Sequence, residues 1–117
     1  MTVDQFRRMA LSFPETEERS HMAHPDFRVN GKIFATLEYP DKSCGMVKLN
    51  AAQQRGFIQS DPEAFSPAAG AWGAGGSTVV RLRSANADTV RDAMKVAVGN
   101  ATQKKPPRSR QRQASDS

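Results

Sequence analysis

The sequence predicts an α+β domain: a two-layer sandwich in which an antiparallel sheet carries about three helices on one face, in the order α-β(3–4)-α-β(1–2)-α. Three observations predict it. Two apolar-rich runs flank Asn30-Gly31, a dipeptide that favours a two-residue type I′ hairpin because both central residues need φ > 0. The strand-like runs alternate apolar and polar residues, so each has one covered and one open face, and the connections between them are too short for the crossovers of parallel pairing. Three further segments place apolar residues at helical spacing and supply the second layer.

Thr2 followed by Gln5 is a capping-box pattern. Val3, Phe6, Met9, Ala10 and Phe13 recur at helical spacing and predict a first helix over about 3–12, with Pro14 helping to end it. Glu15 to Arg19 reads as a charged loop, and Ser20 to Met22 as a short extended lead into the hairpin. A two-residue turn sets Val29 opposite Lys32, Arg28 opposite Ile33 and Phe27 opposite Phe34. Phe27, Val29 and Phe34 then share the covered face and Arg28 points away. Residues 38–45 are a turn cluster, and 46–49 form the next strand, with Val47 and Leu49 inward and Met46 and Lys48 outward. Residues 51–60 read as a second helix, weakest at Gly56 and stopped by Asp61-Pro62. Residues 63–76 read as irregular, with Trp72 anchoring a glycine-rich loop on the core. Residues 77–83 alternate: Thr78, Val80 and Leu82 on one face, Val79, Arg81 and Arg83 on the other. Asn86 or Asp88 caps a last helix with the stripe Val90, Ala93, Met94, Ala97 and Val98, and Gly99-Asn100 is its expected stop.

At 117 residues the chain holds one domain. The sequence divides it into a folded part, 1–102, and a basic tail, 103–117. The tail has no apolar residue larger than alanine and is expected to be disordered. Lys104, Lys105, Arg108, Arg110 and Arg112 face only Asp116 there, so four of the five net positive charges belong to the tail and residues 1–102 are close to neutral. The pI of about 9.9 is therefore largely a property of the tail. One cysteine, Cys44, excludes an intrachain disulfide. The N-terminal residues lack a signal-peptide run, and no stretch approaches the roughly 20 apolar residues of a membrane span. A cytoplasmic protein without membrane contact is expected.

Enzyme classes find little support. Gly70 to Gly76 has no Lys-Ser/Thr after the glycines and precedes a strand, so it is neither a Walker loop nor a dinucleotide fingerprint. No nucleophile elbow is present, and no pair of carboxylates has a reason to titrate apart. His21 and His24 form H-x-x-H, but residues three apart on an extended chain point to opposite sides, so no metal and no cofactor are expected. The informative polar set is geometric. Arg28, Lys48, Arg81 and Arg83 fall on the open sheet face, with Lys32 at the hairpin tip, as a cationic stripe able to meet a phosphate backbone. The bland reading is a solvated face whose Lys and Arg stems cover Ile33, Met46 and Val79. The alternative functional reading is a small-ligand- or protein-binding module that uses a pocket near Trp72 and the His21/His24 turn.

The stretch SHMAHPDFRVNGKIFATLEYPDKSCGMVKLN, followed by DPEAFSP and GAWGAGGSTVVRL, resembles the MmcQ/YjbR-like proteins. The resemblance runs over about residues 3–101. It implies a two-layer α+β fold and a DNA-binding role, and it brings no assigned catalytic residue. Asn30 stands where a glycine is more usual, and it tolerates the left-handed conformation the turn needs. Cys44 stands where a bulkier residue is expected.

Overall fold

A computed structural model describes residues 1–102; the basic tail, 103–117, lies outside the described residues. The elements are α1 (Val3–Leu11), β1 (Thr16–His21), β2 (His24–Val29), β3 (Lys32–Leu37), β4 (Cys44–Lys48), α2 (Ala51–Ser60), β5 (Phe65–Pro67), α3 (Gly70–Ala74), β6 (Ser77–Arg81), a 3-10 turn over Leu82–Ser84, and α4 (Ala87–Thr102). The six strands form one antiparallel sheet in the order β1-β2-β3-β4-β6-β5. Helix α1 lies against β1 and β3, α2 against β5 and β6, and α4 across β2, β3 and β4. The α+β sandwich read from the sequence is the observed architecture.

Local chemistry starts and stops these elements. Thr2 accepts from Gln5 N while Gln5 Oε1 accepts from Thr2 N, so the capping box at α1 is complete. Asn50 and Gln53 repeat the device at α2. Asn86 Oδ1 accepts from the backbone N–H of Asp88 and Thr89, which selects it as the cap of α4. The expected stop at Gly99-Asn100 is not used. The helix runs on to Thr102, and the Asn100 side chain makes a tertiary bond instead, Nδ2 donating to Gln53 Oε1 at 2.8 Å.

The hairpin forms at Asn30-Gly31, both with positive φ, and Val29↔Lys32 and Arg28↔Ile33 are paired as expected. Beyond them a bulge intrudes. Phe27 pairs with Ala35, leaving Phe34 as the extra residue. The two rings therefore do not pair across the strands. Phe6 of α1 covers Phe27 at 6.3 Å between centroids, and Phe13 meets the ring of Phe34 edge-on at 6.5 Å. Both phenylalanines are still buried, with Phe6, Leu37, Val47, Val80, Val90 and Met94, in one core under the helices.

Two segments differ from expectation. Residues 16–19, expected as part of a charged loop, instead join the extended Ser20 and His21 in one edge strand, because β1 pairs along its whole length with β2. Residues 63–76 contain β5 and α3 rather than irregular chain. Helix α3 is held by Gly73, whose backbone lies so close to Ala68 that a Cβ would sit 1.7 Å from the Ala68 carbonyl oxygen. Gln54 Nε2 donates to Gly73 O at 2.9 Å. With the backbone fastened at Gly73, the neighbouring Trp72 turns outward.

Candidate functional site

The open face of the sheet is built from alternate residues of β2, β3, β4 and β6. Asp26 and Arg28 of β2 stand there, beside Ile33 and Thr36 of β3, Met46 and Lys48 of β4, and Val79 and Arg81 of β6. Edge strand β1 adds Glu17 opposite Arg28 and Arg19 opposite Asp26. The face is thus not a uniform cationic stripe. Its centre is apolar: Cys44, Met46, Ala68 and Val79 form a second buried cluster with Tyr39 packed on it. Lys48 and Arg81 flank that cluster from opposite ends of the β4–β6 ladder, four residues or roughly 13 Å apart. Arg81 donates through Nη1 to the Glu63 carbonyl at 2.8 Å. Arg83 leaves the face altogether, because the strand ends at Arg81 and a 3-10 turn follows.

Arg28 is the most engaged of the expected cations. Its Nε donates to Asp26 Oδ1 at 2.8 Å and its Nη2 to Oδ2 at 3.1 Å. His21 Nδ1 donates to the same Oδ2 at 2.7 Å. Asp26 is fully buried. The Arg28 hydrogen bonds hold its carboxyl below the usual carboxylate range, against the burial that pushes it up, and the His21 bond adds to the lowering. Arg28 is correspondingly harder to deprotonate than an ordinary guanidinium.

Arg28, Lys32 and Lys48 nevertheless converge. They line one groove of about 690 Å³ at the Asn30-Gly31 end of the sheet, together with Asn50 at the start of α2 and Asn100 and Ala101 near the end of α4. Among the described residues no acidic side chain lines this groove.

The histidines also come together, contrary to the opposed arrangement expected from an extended chain. His21 and His24 are register partners across a two-residue turn at Met22-Ala23, both with positive φ, and their ring centroids are 6.4 Å apart. An aromatic row continues from His24 to Tyr39 at 5.7 Å, edge-on, and from Tyr39 to Trp72 at 6.0 Å. Trp72 does not anchor on the core; it is 56% exposed. Beside it is an apolar pocket of about 250 Å³ with Met22, Ile33, Met46, Lys48 and His21 in its walls and Thr36 at its base. Thr36 is 2% exposed and, among the described residues, its hydroxyl has no hydrogen-bond partner, a condition shared by His24 Nδ1. His24 does not line this pocket. Tyr39 and Thr36 were not singled out from the sequence. The lone tyrosine sits in a turn cluster, and a threonine in a strand carries no sign that its hydroxyl lacks a partner.

A six-stranded antiparallel sheet with α1, α2 and α4 on one face and an aromatic-rimmed, cation-flanked open face defines a small α+β class. The family model YjbR matches residues 11–97, and the chain belongs to that family. The fold is shared with a solved structure, the Deinococcus radiodurans protein DR2400 with its DUF419 domain. It superposes with a TM-score of 0.72 at 16% identity, over 88% of this chain and 80% of that one. Comparison with curated proteins finds no match. Among the described residues no helix is long and apolar enough to cross a membrane.

Proposed function

We propose that this YjbR-family protein is a non-enzymatic, cytoplasmic nucleic-acid-binding protein that takes a phosphate backbone into the groove lined by Arg28, Lys32 and Lys48. The groove carries the reading: Lys32, Lys48 and the Asp26-paired Arg28 come from three strands to line it and, among the described residues, no carboxylate lines it. Phosphate neutralisation by Lys and Arg supplies most of sequence-independent nucleic-acid affinity. Residues 103–117 carry five further cations and follow in sequence on Asn100 and Ala101, which line the same groove. Arg81 and Arg83 contribute at most at a distance, since neither lines the groove.

The test is a salt titration of duplex DNA binding, read by fluorescence anisotropy on the full chain and on Lys32→Glu/Lys48→Glu. Each phosphate contact contributes about −0.9 to the slope of log affinity against log salt, so the double variant should lose about 2 from that slope. An unchanged slope would assign all binding to the tail and end the groove reading. A second reading, a small-ligand or protein-binding module at the Trp72 pocket with His21 and His24, is favoured by the exposed Trp72 rim.

A further inference from the structure

We infer that the cationic groove and the Trp72 pocket are one continuous site for single-stranded nucleic acid, with an unstacked base in the pocket and its flanking phosphates on Lys48 and Lys32. The inference rests on the proposed groove reading and goes further, because it assigns the pocket an occupant.

Continuity comes first. Ile33 and Lys48 line both cavities. Lys48 is exposed at the end of β4, so an anion held there has phosphate-binding groups on one side and an apolar recess on the other. A ligand that fits both halves needs a flat apolar part and an anionic part a few bonds away. A nucleotide unit has that chemistry.

The recess suits a base and little more. At about 250 Å³ it is below the roughly 300–1,000 Å³ of pockets for drug-sized ligands. Its walls are apolar: Met46 and Ile33 offer methylene and thioether contacts, and Trp72 presents an exposed indole at the rim. Tyr39 backs Trp72 at 6.0 Å. An exposed indole beside a cationic track is how single strands are held without sequence reading, since every base has a π-face. Besides Lys48, the polar residues of the lining are Thr36 and His21. Thr36 contributes a buried hydroxyl with no partner among the described residues, and buried polar groups in folded proteins nearly always have one. His21 commits Nδ1 to Asp26, leaving Nε2 as its ring nitrogen for a ligand.

A duplex cannot use this recess without extruding a base, which carries an unstacking penalty; a single strand can. A free mononucleotide would fill the recess but leave most of the 690 Å³ groove and its second and third cations unused. The charge distribution therefore favours a strand.

Trp72 is the chain's single tryptophan, so its fluorescence reports the pocket directly. The experiment uses the full chain with a dT oligomer of about 12 nucleotides, within the site sizes of single-strand binders. A duplex of equal length and thymidine monophosphate are the comparison probes. The oligomer should bind more tightly than the duplex and quench Trp72, while the duplex leaves the emission unchanged. Trp72→Ala should weaken oligomer binding about tenfold, in line with the loss of one base–aromatic stack, and leave duplex binding as it was. Trp72→Phe should restore part of the loss. Because the ring is exposed, both variants are expected to fold, and a thermal melt checks that they do. Equal or tighter duplex binding, absence of quenching, or indifference to Trp72→Ala would overturn the inference. Quenching by the monophosphate at the oligomer's own midpoint concentration would also overturn it, in favour of a mononucleotide site. In each case the groove reading stands or falls separately, on whether Lys32→Glu/Lys48→Glu lowers duplex affinity.

Discussion

Replacing Asp26 by Asn tests the electrostatic centre of the open face. The carboxylate is fully buried and accepts three hydrogen bonds: two from Arg28 at 2.8 and 3.1 Å and one from His21 at 2.7 Å. Asparagine keeps the shape and one acceptor but removes the charge, and its amide nitrogen faces donors. Hydrogen bonds to charged groups contribute about 1.5–3 kcal/mol. The partners' side chains are 24% and 33% exposed, so water softens the penalty for leaving them, and a loss of about 2 kcal/mol at pH 7 is expected. For a domain of this size that lowers Tm by on the order of 10 °C. The pH dependence fixes the cause. Arg28 holds the folded carboxyl below its ordinary range, so its stabilisation is present above the unfolded value of about 3.9 and is lost as pH falls through the lowered folded value. The Tm gap between wild type and Asp26→Asn should therefore be full at pH 7 and close progressively below about pH 4. Thermal melts of both proteins across that range, followed by circular dichroism, measure it. A gap that is the same at pH 7 and pH 3 would show that the residue acts through packing and not through charge.

Three further outcomes follow from particular contacts. Gly76 has φ +118° and a Cβ there would fall 2.1 Å from the Leu49 carbonyl oxygen, so Gly76→Ala should destabilise by more than about 1 kcal/mol and lower the urea midpoint. Asn50→Ala removes a complete capping box and should cost about 1 kcal/mol in the same urea titration. Thr36→Val removes a buried hydroxyl that has no partner among the described residues, so the melt should show unchanged or raised stability, while oligomer binding weakens if that hydroxyl meets the base.

The elements that local chemistry dictates were legible in the sequence. Asn30-Gly31 names its turn type because two successive residues need positive φ. Thr2 and Gln5 mark a helix start because orphan N–H groups need acceptors. The alternation at 77–82 sorts Thr78, Val80 and Leu82 to the core, where all three are buried. Only the end of strand β1, at Ser20 and His21, was legible as extended chain; its first four residues, Thr16 to Arg19, were not, since a polar edge strand takes its conformation from its neighbour's hydrogen bonds and not from a buried face. The bulge at Phe34 was hidden because either register places an apolar residue inward.

The site depended on tertiary structure still more. Cations at Arg28, Lys32 and Lys48 could be assigned to one side of a sheet, but their convergence on a groove depends on where α2 begins and α4 ends. The opposition of Lys48 and Arg81 depends on the β4–β6 register. His21 and His24 face each other because Met22-Ala23 forms a tight turn with positive φ at both residues, a conformation neither side chain advertises. Trp72 is exposed because Gly73, not the indole, fastens α3 to Ala68. Sequence by itself determined which residues carry charge, which prefer turns and which prefer burial, because those are properties of single side chains and their immediate neighbours. Only the tertiary structure decided which charges are neutralised, which stay open and which aromatic ring faces solvent. Those outcomes depend on distances between segments far apart in the chain, and no local preference encodes such distances.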